Sequence, residues 1–170
     1  MADSPQRHTR ASHSLPRSPT MSFEIRPAIA ADIPALLNLL EQLALDSAFR
    51  TATEDRARAA LEEIANQSGR ALLVAIDDGR VVGTVDLLII SPNLTHEGRP
   101  WALVEHMVVD HSARRQGVGR QLMEEAERRA REAGCHRISL FSDRRRGEAH
   151  AFYEALGFEA GSQGFRRRLP

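Results

Sequence analysis

Arg114, Gly117 and Gly119 stand in a polar loop with the spacing R-x-x-G-x-G, and the chemistry that spacing suits is the binding of an anion. An apolar run over 102–109 ends at Asp110 just before the loop, and a helical pattern begins within it. Strand, glycine turn and helix start together point several backbone N–H groups at one place, where the helix dipole adds partial positive charge. A phosphate or pyrophosphate is the natural occupant. The candidate binding loop is therefore Arg114, Arg115, Gln116, Gly117, Val118, Gly119 and Arg120, and its two glycines would let backbone and ligand approach with no Cβ between them. A P-loop is excluded, because Arg120 and Gln121 follow the last glycine where Lys and then Ser or Thr are needed. A dinucleotide fingerprint is excluded too, because its third glycine would fall on Leu122.

Glu105 is the second residue whose type and place invite chemistry. It is an acid inside an otherwise apolar strand pattern, suited to accept a proton directly or through a water. The same carboxylate could instead be structural, satisfied by an arginine. His106, His136 and His150 stand singly without metal-ligand spacing and read as packed or solvated. The single cysteine, Cys135, excludes an internal disulfide and a cysteine-based zinc site, and fits a reducing, cytoplasmic compartment. The arginine runs 144–146 and 166–168 are either solvated faces or attractors of an anionic group.

The elements that must position these residues follow from periodicity. Residues 23–26 alternate as a first strand. A helix is expected over 31–45, with Ile33, Leu36, Leu37, Leu40 and Leu43 on one face. Thr53 is placed to cap a second helix to about residue 67, with Ala57, Ala60, Leu61 and Ile64 inward. Two strands, 71–76 and 81–90, flank a hairpin turn at Asp77-Asp78-Gly79-Arg80. After the strand at 102–109 and the glycine loop comes a long helix, with Val118, Leu122, Met123, Ala126, Ala130 and Ala133 as its buried stripe and Gly134 as its stop. A strand at 137–142, a helix at 148–156 stopped by Gly157, and a last strand at 164–169 complete the chain.

In register with the glycine loop stand Val104-Glu105-His106-Met107-Val108-Val109 before it and Ala151-Phe152-Tyr153-Glu154-Ala155-Leu156-Gly157-Phe158 after it. From residue 23 onward this resembles the GNAT family, the Gcn5-related N-acetyltransferases. The resemblance implies an α/β fold with a mixed, mostly antiparallel sheet flanked by helices, in the order β-α-α-β-β-β-α-β-α-β. It implies acetyl-CoA as cosubstrate, with its pyrophosphate on the glycine loop and its pantetheine arm along the backbone of Met107, Val108 and Val109. It implies Glu105 as general base, at the position where amino-sugar-phosphate acetyltransferases of the family carry a glutamate, and Tyr153 as the acid that protonates the departing thiolate. One departure is visible: many relatives have Asn seven positions before the tyrosine, where it touches the cofactor, and here that residue is Arg146.

The chain has 170 residues, of which 42% are hydrophobic, enough for one core. Its 23 basic and 23 acidic residues cancel, so no net field recruits nucleic acid or a membrane surface. Residues 1–20 are expected to be a disordered extension, because they carry too few apolar residues to offset chain entropy, and the working domain is expected over 21–170. No apolar run is of signal-peptide or membrane-spanning type. The expected activity is transfer of an acetyl group to a primary amine of a small molecule, directly within a ternary complex, with a homodimer as the assembly. The alternatives are acetylation of a peptide or protein amine, and an acyl-CoA sensor that keeps the fold without turnover.

Overall fold

The computed structural model describes residues 22–45, 49–162, 164, 165 and 167. Five strands form one sheet in chain order: β1 (Glu24–Pro27), β2 (Arg70–Asp77), β3 (Arg80–Ile90), β4 (Trp101–Val109) and β5 (Ile138–Leu140). The first three pairings are antiparallel, and β4 with β5 is parallel. Helices α1 (Ile33–Glu41), α2 (Glu54–Ala65), α3 (Val118–Glu132) and α4 (Gly147–Ala155) flank it. The expected order holds through α4. Of the expected last strand, Gly164, Phe165 and Arg167 are in no regular element, and its other residues lie outside the described residues, as does the 1–20 extension.

The long helix holds the site in place. Val118, Leu122, Met123, Ala126 and Ala130 are all buried, the stripe that the 3.6-residue period predicts. Leu122 is wholly buried, which alone contributes about 1.5–3 kcal/mol of apolar transfer. Ala133 departs from the stripe: it is the C-cap and lies exposed, because the chain there turns through Gly134 at φ +75°. Beneath the first turns of α3, β3 carries Gly83, whose missing Cβ would come within 3.0 Å of both Leu122 Cδ1 and Val118 Cγ1. Gly83→Val is therefore expected to lower the unfolding free energy by about 1–3 kcal/mol in urea titration. An unchanged midpoint would mean that α3 does not press on the sheet there.

The flanking helices fit the sequence less closely. In α1 the buried residues are Ile33, Leu36 and Leu39; Leu37 and Leu40 are only half-buried. Thr53 does cap α2, accepting from the Arg56 N–H at 3.5 Å, yet α2 has no fully buried residue and Ala60 is exposed. A methyl group gains little by burial, and the helix lies against β2 and α1. The 77–80 hairpin turn forms as expected, with Asp78 and Gly79 both at positive φ.

Candidate active site

The sheet opens between β4 and β5. Their pairing ends at Val104 with Leu140, while β4 runs on to Val109. Residues 105–109 therefore extend past the end of β5. On its other side β4 carries a bulge: Thr84 pairs with Val108 and Asp86 with Glu105, so the stretch between them is one residue longer on β4. His106 takes up the extra residue at φ +50°. In a regular strand neighbouring side chains face opposite sides, but here Glu105, His106 and Met107 all line one cleft. That cleft holds about 660 Å³ and is closed on its far side by Tyr153, Ala149 and Arg146 of the α4 region.

Tyr153 is half-buried, with its ring edge-on to Phe152 at 5.2 Å and to Phe158 at 5.9 Å between centroids. Burial raises its phenol above the ordinary value, against the weaker pull of Arg146. The hydroxyl thus stays protonated across the neutral range, the state an acid catalyst needs. Arg146, where an Asn was expected, donates to the Leu43 carbonyl and ties the start of α4 to the segment after α1.

The glycine loop lies where the sequence places it, at the N-terminus of α3. Asp110 ends β4 and fixes the entry, accepting from the Ser112 N–H at 2.9 Å and the Gln42 amide at 3.0 Å. Bonds from the Ser112 hydroxyl first, then from Gln42, hold its carboxyl down at about 2. Arg114 Nε donates to the Val109 carbonyl at 3.1 Å, and Arg115 adopts φ +64°. Gly117 is the N-cap at φ +95°, and the first bond of the helix runs from the Gln121 N–H to the Gly117 carbonyl at 3.1 Å. By helix geometry the N–H groups of Val118, Gly119 and Arg120 are left for a ligand or solvent. Arg114, Arg115, Gln116 and Arg120 are exposed, and Val118 is buried as an anchor.

The two glycines have different reasons to be glycine. A Cβ at Gly117 would meet nothing within 4 Å, so its role is the left-handed turn and the open approach. A Cβ at Gly119 would lie 3.2 Å from Phe152 Cζ and 3.3 Å from Met107 Cε. Gly119 thus also packs between α3, β4 and α4, a second reason for glycine beside the expected ligand approach. The same contact joins the loop to the cleft, since Met107 lines the cleft and Phe152 precedes Tyr153. Glu105, Met107 and Tyr153 share the cleft; the loop adjoins it through Met107. Val108 is buried in pairing with Thr84, and Val109 is half-buried.

Sequence reasoning passed over Asp86. Only 2% of its side chain is exposed, and it accepts from Arg70 of β2 at 3.1 Å (Nε) and 2.5 Å (Nη2). His106 Nδ1 stands 3.6 Å from the same carboxylate, a contact that becomes an ion pair when the imidazole is protonated and that the sequence reading of a packed or solvated histidine did not include. The available signal was a second acid in an apolar strand; the sheet register sets it directly opposite Glu105. Among the described residues no group of three or more His, Cys, Asp or Glu could hold a metal ion.

Comparison with known proteins agrees with this geometry. The profile of the acetyltransferase (GNAT) family matches residues 36–158. The glucosamine 6-phosphate N-acetyltransferase of Trypanosoma brucei brucei is 30% identical over 154 residues, 88% of this chain and 97% of that protein. The aminoglycoside N(6')-acetyltransferase type 1 of Stenotrophomonas maltophilia is 27% identical, over 86% of this chain and 92% of that one. Among solved structures, a putative acetyltransferase from Agrobacterium tumefaciens superposes with a TM-score of 0.77 at 34% identity, covering 86% of this chain and 99% of that one.

Proposed function

This chain belongs to the acetyltransferase (GNAT) family and is an acetyl-CoA-dependent N-acetyltransferase, and from that premise we propose that it passes the acetyl group directly to a primary amine of a small molecule while both substrates are bound. The observation that carries this reading is the continuity of two features. The glycine-turn start of α3 adjoins, across Met107, a cleft lined by both Glu105 and Tyr153.

The roles follow from position. Backbone donors at 117–120, with Arg114 and Arg115 beside them, bind the pyrophosphate of acetyl-CoA. Backbone groups of 107–109, past the end of β5, hold the pantetheine arm, and an N–H among them donates to the developing oxyanion, a contribution of about 2.7–4 kcal/mol in other enzymes. Glu105 takes a proton from the attacking nitrogen, and Tyr153 gives one to the departing thiolate. Holding amine and thioester together supplies the remaining acceleration through proximity.

The acceptors named for the two relatives are both amino sugars, so the first amines to test are glucosamine 6-phosphate, glucosamine and an aminoglycoside. The assay is free-thiol release with the acetylated amine identified by mass. Absence of turnover across a broad amine panel would sink the reading and leave a sensor. The single free cysteine supports a cytoplasmic setting.

A covalent route through Cys135 is disfavoured. The thiol lies at the far end of α3 from the loop, roughly 20 Å away at ~1.5 Å rise per residue. Burial raises its pKa, which Arg99 only partly offsets, so little thiolate is available. Cys135→Ala is expected to keep near-normal turnover; loss of the reaction would reopen the covalent route.

A further inference from the structure

Conversion of an ammonium to an amide removes two protons from the nitrogen, and Glu105 can hold only one of them at a time. At neutral pH an alkylamine arrives as R–NH3+, which has no lone pair to attack with. One proton must leave before the N–C bond forms and a second after it. We propose that His106, oriented by Asp86, is the second proton acceptor of the reaction and takes the first of these protons. The inference rests on the acetyltransferase reading and extends it to a residue that can take, inside the cleft, the proton that solvent would otherwise have to remove.

The geometry is that of an oriented imidazole. Asp86 is buried on β3 and fixed by two bonds from Arg70, so its carboxylate is a rigid partner. His106 Nδ1 stands 3.6 Å from it, longer than a hydrogen bond but near enough for the carboxylate's charge to favour the tautomer with hydrogen on Nδ1, which leaves the lone pair on Nε2. The ring is half-exposed on the cleft wall, beside Glu105. The bulge makes this possible, because without the extra residue at φ +50° adjacent side chains would face opposite sides of the sheet. The groups around His106 are Asp86 on β3, Arg70 on β2 and Glu105 next to it. Across the cleft are Arg50, Asp143, Arg145, Arg146 and Tyr153. The Asp86 contact raises the imidazole above its ordinary value, outweighing burial, with Glu105 adding to the rise and Arg70 opposing it. A stronger base is better matched to an alkylammonium. Burial alone would raise the Asp86 carboxyl, but His106 and Arg70 together hold it below its ordinary value. Stability from the pair is accordingly complete below the unfolded imidazole value and fades as pH rises through the raised one.

The step balances. R–NH3+ gives a proton to His106 Nε2, the free amine attacks the thioester carbonyl, and the N–C bond forms. Glu105 takes the second nitrogen proton as the C–S bond breaks, with the bonding pair leaving on sulfur, and Tyr153 protonates the thiolate. Glu105 then returns its proton to the phenolate through water, and His106 releases one proton to solvent, the net yield of the reaction.

The test is the pH dependence of kcat/KM for wild type and His106→Asn, using whichever amine of the panel turns over fastest. The expected result is a loss of at least ~10-fold in the window above the raised imidazole titration and below the pKa of the amine; it shrinks towards wild type at lower pH, where the imidazole is already protonated, and above the amine's pKa, where no ammonium proton remains to be removed. KM for acetyl-CoA should be unchanged. Histidine NMR of the wild type is the second readout: His106 should carry its proton on Nδ1 and titrate above 6.5, and Asp86→Asn should move that titration down. A loss equal at all pH values, or no loss, overturns the proposal while leaving the acetyltransferase reading intact. An ordinary titration without an Nδ1 proton also overturns it. Absence of wild-type turnover with every amine overturns both.

Discussion

Tyr153→Phe is expected to lower kcat by roughly 100-fold, the low end of what a positioned proton donor contributes, while KM for acetyl-CoA should stay close to wild type. The substitution removes one oxygen and keeps the ring, so the edge-on contacts with Phe152 and Phe158 and the packing of α4 survive. What is lost is the only phenol of the chain, held on the cleft wall opposite Glu105. Without it the thiolate must leave unprotonated or wait for solvent. The loss should be smaller for a donor whose thiol leaving group is more acidic, because such a group needs less help. A uniform loss with every donor, or a loss traced to KM, would move Tyr153 from proton transfer to packing.

Gly117→Val carries the other large effect, on affinity. At φ +95° a β-branched side chain is strained by about 1–3 kcal/mol, even though nothing within 4 Å would touch the new Cβ. If the turn relaxes, the N–H groups at the start of α3 lose their common aim, and the added methyls stand in the approach to them. Calorimetry should show acetyl-CoA affinity reduced by roughly 10- to 100-fold, since each ~1.4 kcal/mol is a factor of ten. Gly134→Val is the control. It places the same side chain at φ +75° with equally open surroundings, but at the opposite end of α3. It should cost stability and leave affinity alone. Equal loss of affinity in both variants would mean that the helix, and not the loop, is being read.

The difference between these glycines shows where the sequence stops being legible. R-x-x-G-x-G identifies the loop, because strand, turn and helix start are all local patterns, and the buried stripe of α3 follows from its period. That Gly119 lies close against Phe152 and Met107 is a fact of three elements meeting. The bulge at His106 is equally hidden. It depends on the register of β4 against β3, and no residue type in 104–109 announces it. Once it is known, Glu105 and His106 face one cleft, and Asp86 becomes the partner of a site residue. The end of β5 pairing at Leu140 is likewise a property of the sheet that the residues 137–142 do not announce. Helix α2 errs in the other direction: its apolar spacing is regular, but alanines bury too little to sink it into the core.

The central claim is direct transfer between two bound substrates, and steady-state kinetics tests it most directly. Initial rates of thiol release should be measured over a grid of acetyl-CoA and amine concentrations with wild-type protein. The account predicts double-reciprocal lines that intersect, as a ternary complex requires. Parallel lines, with acetyl recovered on a peptide of the protein itself, would contradict it.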